Sequence, residues 1–383
     1  MAKTQSNPAL RAIIWAKELF REAILENWFA KKGLMGKGVN SLVQIKTELE
    51  KTKGEKITFG IIRKLEGAGV DGDAMLEGNE EALVTQDFEL NVDYKRNAVR
   101  STGKLDDQKS VYDLYSEFKG GLADWLKEVI VVQIFLKLGG VLNTALKDVT
   151  GALYSVAAKW SNTPNAVPVA DLIAGKGARY LNANIGKLAD LAATDVITPK
   201  MIIKLKTMAK LAKPKILPLS FDGKDYYVMF VHPYQFAQLK TNQIIVEAWS
   251  NAAERGKNNP IFLGEDTFVY DGVIVVEHEA VPYLDPADVS GTANFEGYSE
   301  ADAQAKVPIA RAIFCGRQAA VFGQCKHSQE WAEDTFDYGN QKGVATGLMG
   351  GVAKTFFPDR KNSSKKLDFA VIVLDTAVVE PEI

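Results

Sequence analysis

Residues 54–114 read GEKITFGIIRKLEGAGVDGDAMLEGNEEALVTQDFELNVDYKRNAVRSTGKLDDQKSVYDL, and the order of patterns in this stretch decides the fold. Residues 56–65 are rich in apolar and β-branched side chains, which predicts a strand. Residues 87–99 predict a second strand, because apolar side chains alternate on one face at Phe88, Leu90, Val92 and Tyr94. Residues 67–86 are too long for a tight turn, so we expect the two strands to pair as a hairpin with a projecting loop.

The loop between these strands carries five carboxylates and no basic residue. It does not match a calcium-binding loop, because Met75 and Leu76 stand where that loop needs an oxygen ligand and a glycine. We therefore predict no metal and no cofactor. The carboxylates belong to Asp71, Asp73, Glu77, Glu80 and Glu81.

A long helix is predicted after the hairpin. Asp106 is a suitable N-cap, and an apolar stripe at helical spacing continues to about Leu138. Roughly 30 residues correspond to a helix on the order of 45 Å long, and Gly120 with Gly121 would allow a bend.

The N-terminal region also predicts a helix, with Asn7 as its cap, Pro8 in its first turn and glycines from Gly33 onward ending it. Two interpretations remain open for its apolar face. The helix is either an arm that docks on a neighbouring subunit or an element packed on its own core. The residues of that face are Ile13, Phe20, Ile24 and Trp28.

The second half of the chain predicts a mixed α+β structure. A helix is expected over 199–212, with an apolar face of Met201, Ile202, Leu205, Met208 and Leu211. Further helices are expected at 235–254 and near 316–323. Strands are expected in the runs DYYVMFVHPYQF, GVIVVEHEAVPY, PIARAIFCGRQAAVFG, GGVAKTFF and DFAVIVLDTAVV.

Composition excludes several classes of protein. The formal net charge of -2 over 383 residues is not that of a nucleic-acid reader. The two cysteines provide no disulfide framework, which fits synthesis in a reducing cytosol. The N-terminus lacks a signal peptide, and residues 129–138, the most apolar run, are far short of the about 20 residues that cross a bilayer.

Enzymatic machinery is not visible. There is no G-x-S-x-G elbow and no H-E-x-x-H motif, and GLMGG at 347–351 lacks the features of a phosphate loop, so turns or close backbone packing explain its glycines better. His232, His278 and Cys315 are expected to be structural. An enzyme that uses His232 or Cys315 in a pocket of the second half is kept as a rival hypothesis.

Residues 54–114 resemble the major capsid protein family of enquatrovirus-type podophages and their prophage relatives. Supporting segments are VHPYQFAQL from Val231, NPIFLGEDTFVYDGVIVVEHEAVP from Asn259 and RAIFCGRQAAVFG from Arg311, so the similarity covers most of the chain outside 141–197. The family has a Hong Kong 97-like capsid fold, which is α+β. In that fold the E-loop, an extended hairpin, lies over the adjacent subunit, and the long helix is the spine of the peripheral domain.

The resemblance also implies a domain order. It predicts an N-terminal arm at 1–53, the E-loop hairpin at 54–105, and a peripheral domain with the spine helix at 106–216. A mostly axial domain is predicted at 217–350, although residues 272–282 within it are expected to return to the peripheral domain. The C-terminal strands at 351–383 are also expected to return to the peripheral domain.

The implied function is a major capsid protein, a non-enzymatic virion subunit that assembles in the host bacterial cytoplasm into hexamers and pentamers of an icosahedral shell around packaged double-stranded DNA. Implied partners are other copies of the chain, a separate scaffolding protein, a portal, possible decoration proteins and weakly held DNA, with no membrane. We predict inter-subunit contacts at the five loop carboxylates and at the four N-arm residues named above. The alternative is the shell of a cellular nanocompartment with the same fold.

Overall fold

The computed structural model describes most of the chain outside the N-terminal 26 residues and several internal segments. The described residues are 27–49, 56–62, 69–72, 75, 77–78, 80, 85–109, 114–140, 179–183, 191–212, 215–221, 223–247, 266–284, 307–325, 330–358 and 366–378. Within them, no helix is long and apolar enough to span a bilayer.

Five α-helices have both ends within the described residues, and residues 243–247 are helical as well. The five are α1 (Trp28–Lys31), α2 (Lys104–Lys109), α3 (Leu114–Gly139), α4 (Pro199–Leu211) and α5 (Pro233–Lys240). Eighteen strands are described as well. They are β1 (Met35–Gly36), β2 (Val43–Leu49), β3 (Lys56–Ile62), β4 (Thr85–Asn91), β5 (Asp93–Arg100), β6 (Tyr180–Asn182), β7 (Leu219–Phe221), β8 (Lys224–Val231), β9 (Thr267–Tyr270), β10 (Val273–Glu277), β11 (Tyr283–Leu284), β12 (Ile309–Cys315), β13 (Ala320–Cys325), β14 (Glu330–Phe336), β15 (Gln341–Lys354), β16 (Phe356–Pro358), β17 (Lys366–Asp368) and β18 (Val371–Ala377). The predicted α+β class is confirmed.

An eight-stranded sheet forms one part of the fold, in the order β6-β18-β12-β8-β10-β9 with β11 on β12 and β7 on β8. At its centre, β12 and β18 pair antiparallel over seven residues, from Ile309 opposite Ala377 to Cys315 opposite Val371. Every residue of these two strands is buried. Strands covered on both faces need apolar side chains in both directions, which explains their continuous apolar runs.

A six-stranded sheet forms the other part, in the order β1-β2-β13-β15-β14 with β5 also on β15. The 14-residue strand β15 is the central strand of this sheet, because β5, β13 and β14 all pair antiparallel with it. A single main core cluster contains residues from both sheets and from α1, α3 and α4.

The long helix α3 confirms the predicted spine, at 26 residues or about 40 Å. Its first half exposes Glu117, Gly120 and Asp124, whereas nearly every residue from Val129 onward is buried. It ends at Gly139, and Gly140 takes a left-handed φ of 63°, a conformation that commonly ends a helix.

Several predicted boundaries are wrong. Asp106 lies inside α2 instead of capping a helix, since α2 begins at Lys104. Residues 316–323 form a turn and the start of β13 instead of a helix, because Val321 and Phe322 favour a strand and Gln318 has a positive φ of 57°. Leu211 is exposed instead of lying on the apolar face of α4.

The strand grouping differs from the predicted domain order. Strand β10 lies beside β8 in the eight-stranded sheet, whereas 272–282 was predicted to return to the peripheral domain. Strand β18 lies in the same sheet, although 351–383 was predicted to return elsewhere. Conversely, β13, β14 and most of β15 belong to the six-stranded sheet, although 217–350 was predicted as one mostly axial unit. The domain order itself stays a prediction, because these pairings describe sheets and not domains.

A buried ion pair connects strands of the eight-stranded sheet to the end of the long helix α3. The Arg311 Nε and Nη2 atoms each donate to one carboxylate oxygen of Asp375 at 2.7 Å, and both side chains are fully buried. Arg311 Nη1 donates to the Gly139 carbonyl at the end of α3 at 3.0 Å, and the Tyr180 hydroxyl donates to Asp375 at 3.0 Å. The pair therefore joins β12, β18, β6 and the C-terminus of α3.

A second buried pair lies in the same region. Lys354 forms an ion pair with Asp368, and the Asp368 carbonyl accepts a hydrogen bond from Arg179 Nε at 2.7 Å. Burial lowers the pKa of Arg179 to about 10 against the opposing effect of Asp368, which still leaves the guanidinium charged at neutral pH. The ends of β15 and β17 are thereby held beside the segment that leads into β6.

Replacing Arg311 by Met should lower the free energy of unfolding by about 3–5 kcal/mol, because it leaves the Asp375 carboxylate buried without its counter-ion. The double variant Arg311→Met with Asp375→Leu should recover part of that loss, since it removes both charges. Urea unfolding of the unassembled subunit, followed by circular dichroism, measures both. A single variant within 1 kcal/mol of wild type would contradict the assigned role.

Candidate assembly site: the hairpin and its anchor

The predicted hairpin is present. Strands β3 and β4 pair antiparallel over seven residues, from Lys56 opposite Asn91 to Ile62 opposite Thr85, and among the described strands they form a two-stranded sheet of their own. The predicted strand at 87–99 is in fact two strands. The chain turns at Val92, and β5 leaves the hairpin to pair with β15 over Gly343–Gly350. The alternation alone could not show this change of partner.

The base of the hairpin is anchored by a separate hydrophobic cluster. Ile57, Phe88 and Leu90 of the hairpin are buried against Val321, Cys325 and Ala353 of the six-stranded sheet. The Phe88 ring meets Phe356 edge to face at 4.7 Å between centroids. Such a cluster fixes the direction in which the hairpin leaves the sheet.

Glycines let the hairpin approach the sheet this closely. Gly323 and Gly351 are opposite each other in β13 and β15. A Cβ on Gly323 would lie 2.6 Å from Ile57 Cδ1, and one on Gly351 would lie 2.6 Å from the Asn91 carbonyl oxygen. Gly347 is covered by the Tyr94 ring in the same way. Close backbone packing, as predicted for 347–351, is confirmed.

The loop beyond the base is exposed where it is described. Asp71, Glu77 and Glu80 are all exposed, and the Gly78 amide donates to Glu80 Oε2 at 2.8 Å. The predicted contact residues Asp73 and Glu81 lie outside the described residues. Across the described part of the chain, no group of three His, Cys, Asp or Glu side chains could hold a metal ion.

Trp28 is partly buried and packs against its own subunit's core. Its ring contacts Phe135 of α3, Phe230 of β8 and His278 at centroid distances of 6.1, 5.8 and 4.6 Å. Asn27 caps α1 with extended backbone and accepts from the Ala30 amide at 2.9 Å, so Trp28 begins a new helix instead of ending a long one. Ile13, Phe20 and Ile24 lie outside the described residues, and contacts of the arm with a neighbour stay a prediction.

The histidines considered for catalysis have structural contacts. His232 is an N-cap of α5, where its Nδ1 accepts from the Tyr234 amide at 3.4 Å, and its ring stacks on Tyr283. His278 Nδ1 accepts from the Ala280 amide at 3.0 Å. Burial lowers the pKa of each to about 4, so both are neutral at pH 7.

The cysteines also lie in packed surroundings. Cys315 is buried in β12 within the main core, whereas Cys325 packs in the hairpin anchor. Burial raises the pKa of both thiols, so neither is a thiolate at neutral pH. His327, near them in sequence, lies outside the described residues.

Sequence reasoning missed a second hairpin, formed by β14 and β15. Its tip places Tyr338 fully in solvent, and both Asp337 and Tyr338 have positive φ, at 52° and 50°. Non-glycine residues in this region carry strain, which concentrates at functional positions. The Asp-Tyr-Gly-Asn run at 337–340 was the available signal, because Gly and Asn favour tight turns.

Replacing Gly351 by Ala should weaken the hairpin anchor, because the new Cβ would meet the Asn91 carbonyl, and backbone atoms cannot rotate away. We expect a loss of about 1–3 kcal/mol in the free energy of unfolding. The control is Gly120→Ala in α3, where nothing lies within 4 Å of the added Cβ. That change should be neutral or stabilising by up to about 1 kcal/mol. Equal effects of the two substitutions would contradict the anchor.

The buried histidines should make stability fall as pH decreases from about 6.5 to about 4. In that pH range His232 and His278 bind protons in the unfolded chain but not in the folded chain, so protonation favours unfolding. The double variant His232→Asn with His278→Asn keeps short polar acceptors and should show a flatter profile. Urea unfolding at half-unit pH steps measures the slope, and parallel profiles would refute this assignment.

This chain resembles known proteins over nearly its whole length. The model of the phage capsid protein family matches residues 3–380. The major capsid protein of Pseudomonas phage KPP25 is 29% identical over 366 residues, which cover 94% of this chain and 93% of that protein.

Solved structures agree with the fold. The capsid of Ralstonia phage GP4 matches with a TM-score of 0.70 and 27% identity, covering 93% of this chain and 92% of that one. The cyanophage Pam1 capsid asymmetric unit matches with a TM-score of 0.70 and 23% identity, covering 92% of each chain. The Hong Kong 97-like fold is thereby confirmed, while the narrower enquatrovirus-type resemblance stays a prediction. The chain belongs to the phage capsid protein family.

Proposed function

We infer that this chain is the major capsid protein of a tailed phage, the repeated subunit that assembles into hexamers and pentamers of an icosahedral shell around double-stranded DNA. The observation that carries this conclusion is the β3–β4 hairpin. Its base is fixed on a glycine-bearing sheet, and its described tip residues are exposed and acidic, in a chain that matches the capsid family over 3–380. A rigid base with an exposed tip suits a contact with another subunit.

The hairpin is proposed to serve as the E-loop. Its contact residues would be Asp71, Asp73, Glu77, Glu80 and Glu81, whose charges favour register more than raw affinity. The N-terminal arm is proposed to add a second contact through Ile13, Phe20 and Ile24. Trp28 would then anchor the arm's root, since its ring already packs on Phe135 and Phe230.

A revised domain assignment follows from the sheets. We assign the six-stranded sheet with α3 to the peripheral domain, because the hairpin base packs on β13 and β15 of that sheet. We assign the eight-stranded sheet with α4 and α5 to the axial domain. The pair between Arg311 and Asp375, with its bond to the Gly139 carbonyl, would join the two domains.

Further partners are proposed on general grounds. A shell of this kind assembles in the host cytoplasm with a separate scaffolding protein, a portal and, in some relatives, decoration proteins. The net charge of -2 supports only weak, non-specific contact with packaged DNA. A purely structural role is supported by the buried, neutral state of His232 and Cys315.

Assembly is tested by expressing the wild-type chain alone and with its neighbouring phage genes, beside a deletion of residues 69–81. Sedimentation and electron microscopy should reveal closed shells or capsomers for wild type and their loss for the deletion. His232→Asn and Cys315→Ala should assemble as wild type does.

A monodisperse monomer under every condition would contradict the proposed function. Shells that protect a cargo enzyme and no DNA would support the nanocompartment alternative instead.

A further inference from the structure

Helix α4 has an unbalanced charge. Its thirteen residues, PKMIIKLKTMAKL, contain four lysines and no acid, and Lys213 and Lys215 follow directly. The other described helices are balanced or nearly uncharged. For example, α3 carries three acidic and three basic residues. The excess on α4 is therefore a local feature of a chain whose net charge is close to zero.

The lysines of α4 divide into two roles. Lys206 belongs to the fold, because its Nζ forms an ion pair with Asp271 at 2.9 Å and holds α4 on the turn between β9 and β10. Lys200, Lys204 and Lys210 are exposed instead. Within the described part of the chain, no acidic side chain lies within ion-pair distance of these three.

The exposed side of α4 also carries large apolar residues. Ile203 is 43% exposed and Leu211 is 75% exposed. Spacings of three and four residues place them beside the exposed lysines on one face of the helix. We call the set Lys200, Ile203, Lys204, Lys210 and Leu211 the basic face of α4.

The E-loop tip has the complementary composition. Asp71, Glu77 and Glu80 are exposed, and Met75 lies among them with 70% of its surface exposed. From Lys200 to Lys210 the basic face spans about 15 Å, a length that a loop segment of comparable size can follow. Each subunit carries one acidic tip and one basic face, so a head-to-tail contact between copies uses every site in a closed ring.

We propose that the basic face of α4 receives the acidic E-loop tip of a neighbouring copy of this chain. This docking rests on the proposed function, because it names the surface that the E-loop contacts. A protein partner is favoured over DNA because Ile203 and Leu211 would gain nothing from a phosphate backbone but can pack against Met75. The contact is exposed, so salt weakens it.

Charge inversion on each side tests the docking. The helix-inverted variant carries Lys200→Glu, Lys204→Glu and Lys210→Glu. The loop-inverted variant carries Asp71→Lys, Glu77→Lys and Glu80→Lys. The matched control carries Lys200→Arg, Lys204→Arg and Lys210→Arg, which keeps the charge. All substituted side chains are exposed, so urea unfolding should show each variant folded.

Each inverted variant alone should form at least tenfold fewer capsomers than wild type by sedimentation velocity, while the arginine control assembles normally. A chain carrying both inversions should recover assembly. An equimolar mixture of the two single variants should recover hexamers, in which the variants can alternate so that each acidic tip meets a lysine face on the other variant.

Other outcomes would overturn the docking. Recovery in the doubly inverted chain without recovery in the mixture would place the contact within one chain. Normal assembly of the helix-inverted variant, combined with reduced DNA in the particles, would assign the basic face to nucleic acid. Loss of assembly only on inverting the loop would place the receiving surface elsewhere. A wild-type chain that never assembles would contradict the proposed function and the docking together.

Discussion

The buried pair of Arg311 and Asp375 is the interaction on which the rest of the fold depends. Its two parallel hydrogen bonds fix the register of β12 against β18, and the third guanidinium bond reaches the carbonyl end of α3. A buried charge is tolerable only when its partners are fixed, so the pair imposes one arrangement on the helix and the sheet. The long helix therefore has a defined direction relative to the eight-stranded sheet. The hairpin, which packs on the six-stranded sheet, has a defined direction as well.

The hairpin combines two opposite demands. Its base must not move, and this is met by side chains of Ile57, Phe88 and Leu90 packed over positions where the sheet has only glycine. Its tip is proposed to contact another subunit, and the acidic side chains described there are exposed. The separation of the two clusters, one for the main core and one for the anchor, lets the tip be displaced without opening the core.

The sequence predicted elements better than it predicted their partners. Alternation and β-branched runs located the hairpin and the longer apolar strands of the second half, but not β14, because local burial patterns are visible in neighbouring residues. The apolar stripe likewise located α3. The pairing of β10 with β8 and the position of β18 were not predicted, because the residues of a strand do not indicate which distant strand it pairs with. The acidic tip was predicted from composition. The hydrophobic anchor was not predicted, because Gly323 and Gly351 make room for the hairpin only when β13 and β15 are paired.

The central position of β18 has a consequence for synthesis. This strand is synthesised after β6 and β12, yet it pairs with both of them and supplies Asp375 to the buried pair. A nascent chain from which residues 371–377 have not yet emerged lacks a central strand of its larger sheet and leaves Arg311 without a counter-ion. Ribosome-bound or prematurely terminated chains should thus be unable to reach the native state, which keeps incomplete copies from being built into a larger particle.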